Sequence, residues 1–277
     1  MNPPEVIVCP LCSEPLVRLG RSYTCPRRHN FDLSGEGYLS LLQGRGNYQH
    51  VGDDRAMVQA RVRVHRLHAF SELAKRLAGF VPKTNTTGSV LDIGCGDGFF
   101  LGQVALTGAD RCHGVGIDVS KGALAKAAKA YPNLFFLRAD ASSNPLPFRD
   151  ESFCLVLSIF APRPVDEIRR VLTADGSWLI VTAAPDHLEE IRGFVPLAAI
   201  GSGKLDEPTS RSFSILKSEI FRQELRVDHD DLVSLVEMSP SIHRLRREHG
   251  DTWRDRVPGQ LKVTFSFSLS LLGKVAP

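Results

Sequence analysis

Apolar residues fall at steps of three and four between positions 60 and 77. Ala60, Val64, Leu67, Phe70, Leu73 and Leu77 share one face and predict a single helix over roughly 54–79. Arg61, His65, His68, Glu72 and Lys75 recur in the same way on another face, which reads as solvated. From residue 89 the pattern changes. "SVLDIG" (89–94), "CHGVGIDV" (112–119), "LFFLRAD" (134–140), "FCLVLSIFA" (153–161) and "GSWLIVTAA" (176–184) are near-continuous apolar runs. Such runs suit strands covered on both faces.

Helical segments separate these runs. "KGALAKAAKAY" (121–131) follows Ser120 as N-cap, and "VDEIRRVLTADG" (165–176) ends at a glycine. The alternation predicts an α/β domain with a doubly wound, Rossmann-like sheet. Later, 203–210 reads as a loop and 218–240 as a strand followed by a helix. Val263, Phe265, Phe267, Leu269 and Leu271 alternate strictly with other residues, predicting a half-buried antiparallel strand at the edge of the sheet. Two segments read as connectors, 33–54 and 79–88. The expected organisation is a small module at 1–35, a connector and helix at 36–86, and the α/β domain at 87–277.

With 277 residues the chain is long enough for one medium domain and a small one. No apolar run approaches the roughly 18 residues that span a bilayer. No basic segment followed by an apolar stretch stands at the start, so a cytoplasmic protein is expected. The net charge of +3 is unevenly spread. Residues 1–86 hold 12 Lys and Arg against 7 Asp and Glu, whereas the remainder holds 22 against 24. That asymmetry suits a polyanionic partner at the N-terminal end.

The chemistry concentrates in two places. "VLDIGCGDGFF" sets Gly94, Gly96 and Gly98 directly after a strand, with Asp92 before them and Asp97 among them. Dinucleotide-binding loops read G-x-G-x-x-G, and Phe99 occupies the position of their third glycine. Asp118 ends the next strand, where an acidic side chain can hold ribose hydroxyls. The other place is Cys9, Cys12, Cys25 and His29, a C-x2-C-x12-C-x3-H set. Three thiolates and an imidazole favour a structural Zn²⁺ with no open position. Arg27 and Arg28 sit inside this knuckle and offset its negative charge. Cys95, Cys112 and Cys154 read as small buried hydrophobes.

The glycine loop and the two flanking aspartates resemble the class I S-adenosylmethionine-dependent methyltransferases. The resemblance implies that residues 92–98 lie against the methionine part of the cofactor and that Asp118 holds the ribose. It also implies that Asp140 and Ala141 border the adenine. "CPLCSEPL", "YTCPRRHNFD", "GEGYLSLL", "LDIGCGDG" and "IFAPRP" in order resemble the 23S ribosomal RNA (guanine-N1)-methyltransferases over nearly the whole chain. That family implies methylation of a guanine in a domain II hairpin of 23S rRNA, and it admits a homodimer. "FAPRP" and the segment 226–241 look closer to the macrolide-resistance branch, which implies position 748 rather than 745.

Guanine N1 carries a proton at neutral pH and has to lose it around the time of attack. No general base is legible. Arg163 could stabilise charge on O6, and Phe160 could stack on the flipped base. Competing readings are a small-molecule methyltransferase of an antibiotic precursor and a catalytically silent RNA-binding protein. The zinc module and basic N-terminal part disfavour the first, and the intact glycine loop disfavours the second.

Overall fold

The structure, a computed structural model, describes residues 5–42, 52–81, 88–106, 113–142, 145–198 and 207–275. Cys112 and most of the expected linker at 79–88 lie outside these, as do parts of the expected connector at 33–54 and loop at 203–210.

Three short strands open the chain: β1 (Val17–Leu19), β2 (Ser22–Thr24) and β3 (Asn30–Asp32). They form an antiparallel sheet of order β1-β2-β3. The connector after them is not wholly irregular. Leu39–Ser40 forms a short strand, β4, that pairs in parallel with a strand of the main sheet. The predicted helix at 54–79 is two helices, α1 (Arg55–Val64) and α2 (His68–Ala78). Asp54 caps α1 by accepting from Met57 N at 2.9 Å, and the helix ends at His65. Leu67 then adopts an extended backbone, which starts α2 in a new direction.

The α/β alternation follows. It runs β5 (Ser89–Ile93), α3 (Phe99–Leu106), β6 (His113–Asp118), α4 (Lys121–Ala130), β7 (Phe135–Arg138) and β8 (Phe153–Ile159). Then come α5 (Val165–Val171), β9 (Leu172–Ala183), α6 (Glu207–Ser212), β10 (Phe213–Asp228), α7 (His229–Glu237), α8 (Ile242–His249) and β11 (Gln260–Lys274). Ser120 caps α4 as expected, accepting from Ala123 N. The helix predicted to reach residue 176 stops at Val171, because Leu172 is fully buried and pairs with Phe153 in the sheet. The predicted loop at 203–210 holds the start of α6, which seats Thr209 in the interior.

The large sheet has eight strands in the order β10-β11-β9-β8-β5-β6-β7-β4. β11 is antiparallel to both β9 and β10, and the other neighbours are parallel. The sheet does end in an antiparallel hairpin. β11 is not its edge, however: β10 lies outside it, and both faces of β11 are buried from Val263 to Phe267. The alternation there separates apolar from hydroxyl side chains, not core from solvent. Thr264 is 2% exposed and Ser266 is fully buried, and Glu190 accepts from the Thr264 hydroxyl at 2.6 Å.

Two apolar cores cover the two faces of the sheet. One joins α1, α2, α3, α4, α7 and α8 to it, with Phe70, Leu73, Trp253 and Phe267 fully or almost fully buried. The other joins α5 and the N-terminal zinc-ligand module. Between β7 and β8 the described residues contain no helix. The module fills that place. Val8 N donates to Pro147 O at 3.0 Å, Arg149 N donates to Val6 O at 2.9 Å, and Ile7 bridges to Phe148. Tyr23 packs edge-on against Phe135 at 5.9 Å. The small module thus substitutes for a crossover helix in burying one face of the parallel strands.

Candidate active site and metal centre

The strand β5 delivers the glycine loop to the carboxyl ends of the parallel strands, where open α/β sheets bind ligands. Gly94, Gly96 and Gly98 all have positive φ, at 68°, 55° and 78°. Space decides the case as well at Gly94, where a Cβ would lie 2.8 Å from Ala161 Cβ. That contact brings the loop against the turn after β8. The loop is tied to the neighbouring strand by Gly96 N, which donates to Asp118 Oδ2 at 3.0 Å, while Ser120 N, at the cap of α4, donates to Asp118 Oδ1 at 2.8 Å. Burial raises the Asp118 pKa, and these two backbone donors oppose the rise.

A cavity of about 250 Å³ opens here. Gly94, Cys95 and Gly96 form its floor with Asp118; Asp140, Ala141 and Ser142 form one wall, and Phe160, Ala161 and Pro162 another. Of the residues singled out in the sequence, Gly94, Gly96, Asp118, Asp140, Ala141 and Phe160 are brought together. Asp92, Asp97, Gly98 and Arg163 do not line the cavity. Asp92 lies beneath it, 2% exposed. Burial, with Asp118 and Asp97 nearby, pushes its carboxyl well above the usual range and favours the neutral form. Cys95 is buried and its thiol is raised by burial and by those same carboxylates, which makes it an unreactive packing residue. Cys154 is half-buried, with its thiol 3.5 Å from Ser89 O.

Two further residues complete the cavity, and the helical pattern had placed both on a solvated face. His65 and Arg61 line it from α1. His65 is 8% exposed, stacks on Phe99 at 4.5 Å and sits 3.2 Å from Asp97 Oδ1. Burial would raise Asp97, but His65, with Phe99 N and Arg61, takes its pKa below the usual value. Arg61 pairs with Asp53 at 2.7 Å, and Asp53 O accepts from the Ser120 hydroxyl at 2.9 Å. The apolar rhythm carried no sign of this: α1 packs Arg61 along the glycine loop, with its Cδ 3.6 Å from where a Cβ on Gly96 would stand, and ends before His65.

Phe160 lies on the cavity wall with φ 55°, a conformation rare for a bulky side chain. Its ring is 38% exposed and packs on Phe267 at 5.4 Å and Phe100 at 6.3 Å. The half-buried Arg163 stands two residues beyond Ala161.

The four candidate metal ligands converge independently. Their ligand atoms all lie within 4.8 Å of one another. Cys12 and Cys25 sulfurs are 3.6 Å apart, and His29 Nδ1 is 3.4 Å from both Cys9 and Cys25 sulfurs. A tetrahedral ion with Zn–S near 2.3 Å spaces its sulfurs by about 3.8 Å, so the set fits zinc, with Nδ1 as the histidine donor. Arg28 adopts φ 64° between Cys25 and His29, and Arg27 and Arg28 are exposed.

A glycine loop on a strand end, an acidic residue on the next strand and a mixed sheet with an antiparallel hairpin define the class I methyltransferase fold. S-adenosylmethionine is its cofactor, and a structural zinc completes its N-terminal module. Family patterns agree: a "Methyltransferase domain" pattern matches residues 90–176, and an "RlmA, N-terminal" zinc-ribbon pattern matches residues 7–44. A 23S rRNA (guanine(748)-N(1))-methyltransferase of Streptomyces fradiae is 34% identical over 269 residues, covering 95% of each chain. A relative in Micromonospora griseorubida, provisionally named a 23S rRNA (guanine-N1)-methyltransferase, is 32% identical and covers 84% of this chain and 85% of its own. The chain belongs to the 23S rRNA (guanine-N1)-methyltransferase family. The [4+2]-cyclase SpnF shares the fold, with a TM-score of 0.54, 20% identity and coverage of 83% of this chain and 97% of its own. Fold likeness alone therefore does not decide the reaction.

Proposed function

We propose that this protein transfers the methyl group of S-adenosylmethionine to N1 of guanine 748 in a domain II hairpin of 23S rRNA, and thereby contributes to macrolide resistance. The observation that carries the reading is the pairing, in one chain, of the Cys3His cluster and the glycine-loop cavity. The end-to-end likeness to the S. fradiae relative supports the choice of position. No described helix is long and apolar enough to cross a membrane.

The bound cofactor would supply an electrophilic methyl group on a sulfonium. The chain's part is alignment, charge and exclusion of water. Asp92, Gly94, Gly96, Asp97 and Gly98 form or support the loop for the methionine part. Asp118 keeps lone pairs for the ribose hydroxyls beyond its two backbone donors. Asp140 and Ala141 border the adenine. Phe160 offers its exposed ring as a stacking platform for the flipped guanine, stiffened by Phe100 and Phe267. As N1 takes the methyl its proton passes to bulk water, and Arg163, just past the Phe160–Pro162 part of the lining, stabilises the charge that gathers on O6. Cys9, Cys12, Cys25 and His29 hold zinc and so fix the Arg27–Arg28 turn against RNA phosphates. A dimer, which the family admits, is read from the mass of the protein in solution.

Primer extension on 23S rRNA from a deletion strain tests this directly. The stop at guanine 748 disappears if the reading is right. A stop that persists with no second copy of the gene refutes it.

A further inference from the structure

The described charged residues lining the cavity are Asp53, Asp118, Asp140 and a single permanent cation, Arg61. S-adenosylmethionine carries two positive groups, the sulfonium and the ammonium, and one negative group, the α-carboxylate. Three carboxylates match a ligand of net positive charge. A guanidinium in the same space opposes the sulfonium, unless it meets the one anion the ligand has.

Arg61 is placed for that role. Its Cδ lies 3.6 Å from where a Cβ on Gly96 would stand, so its stem runs along the glycine loop. Its Nε and Nη2 both meet Asp53 Oδ2 at 2.7 Å, which among the described residues leaves the Nη1 end of the fork for a ligand. Asp53 is itself anchored through its carbonyl to Ser120, next to Asp118. The guanidinium is therefore preorganised in the cavity lining by Asp53 and the glycine loop, with 23% of its side chain exposed.

We propose that Arg61 binds the α-carboxylate of the cofactor's methionine part, held in position by Asp53. This rests on the reading of the cavity as the S-adenosylmethionine site. It makes Arg61 a cofactor-binding residue contributed by α1, ahead of β5 and its glycine loop.

The test is calorimetric binding of two ligands that differ only in the carboxylate: S-adenosylhomocysteine and S-adenosyl-3-thiopropylamine. The wild-type protein should prefer the first by about tenfold or more, the size of one charge-assisted hydrogen-bonded pair. Arg61→Met keeps the stem and removes the charge. It should remove that preference by weakening S-adenosylhomocysteine without weakening the decarboxylated amine, whose repulsion from the guanidinium is relieved. An affinity for the decarboxylated ligand that does not fall reports an intact fold. A preference that persists in Arg61→Met overturns the proposal, and so does a wild type that shows no preference. Equal weakening of both ligands also overturns it and marks Arg61 as structural. A wild type that binds neither ligand brings down the cofactor reading itself, a failure distinct from the other three.

Discussion

His65 Nδ1 lies 3.2 Å from Asp97 Oδ1, and this contact joins helix α1 to the glycine loop. Both side chains are nearly buried, at 8% and 11% exposure, so the pair works in a poorly solvated place. His65→Phe would keep the stacking on Phe99 and Phe100 but strand the Asp97 carboxylate. The expected loss of stability is about 1–3 kcal/mol, read by chemical denaturation. Affinity for S-adenosylhomocysteine should fall with it. A variant as stable as wild type would show the pair to be incidental.

Zinc should matter to the whole fold. Cys9 and Cys25 belong to the same apolar core as Phe135, Leu137 and Phe148. Leu41 N, one residue past β4, donates to Arg138 O at 3.0 Å, and Arg138 leads directly into the Asp140 wall. Cys12→Ser or a strong chelator should therefore lower the midpoint of a single unfolding transition and weaken cofactor binding several-fold, by about 1 kcal/mol or more. Two separate transitions, with cofactor affinity untouched, would mean that the module only sits on the surface.

His187 gives stability an acid dependence. It is 8% exposed, and its Nδ1 accepts from Ser266 N at 3.2 Å. Burial, with the charge of Arg192 adding to it, lowers its pKa from 6.5 to about 4. The unfolded chain then binds a proton that the folded chain refuses. This contribution is complete above pH 6.5 and is lost as pH falls toward 4, by on the order of 3 kcal/mol. His187→Asn should flatten that part of a plot of stability against pH, measured by urea denaturation. An unchanged slope would place the acid sensitivity elsewhere.

Asp92 acts with the opposite sign. Its raised pKa means that the folded state holds a proton the unfolded state releases, so stability falls as pH rises above the ordinary carboxylate range. Asp92→Asn is close in shape and permanently neutral. It should raise the melting temperature at pH 8 by a few degrees, roughly the effect of 1 kcal/mol, and do less at pH 4. Destabilisation at both pH values would show that a charged Asp92 is required.

A substitution at Phe160 is expected to tell RNA binding from cofactor binding. Phe160→Ala removes an exposed ring at the cavity wall and relaxes little of the core. Methylation of RNA should drop by about tenfold or more, consistent with 1–3 kcal/mol for a stacked base, while S-adenosylhomocysteine affinity changes less than about threefold. Equal loss in both assays would make Phe160 part of the cofactor wall.

Much of this was legible in the sequence where local spacing carries chemistry. C-x2-C-x12-C-x3-H needs only a hairpin to bring four ligands together, and the glycine loop needs only the strand before it. Residues whose role depends on packing were not legible. Arg61 and His65 enter the cavity because α1 packs against the glycine loop, Arg61 beside Gly96 and His65 beside Asp97, a contact that an apolar rhythm does not encode. The two residues of β4 have meaning only when β7 is beside them. The hydroxyl face of β11 looked solvated because serine and threonine usually are, yet Glu190 and His187 meet that face in the interior.

The central claim is a methyl group on N1 of one guanine, and mass spectrometry of RNA tests it most directly. 23S rRNA lacking the modification is incubated with the protein and S-adenosylmethionine carrying a labelled methyl group, then cut with a base-specific nuclease. Label is expected in the domain II fragment that contains guanine 748, released on full digestion as 1-methylguanosine. Label on another ring position or in another fragment, or no label in RNA, would contradict it.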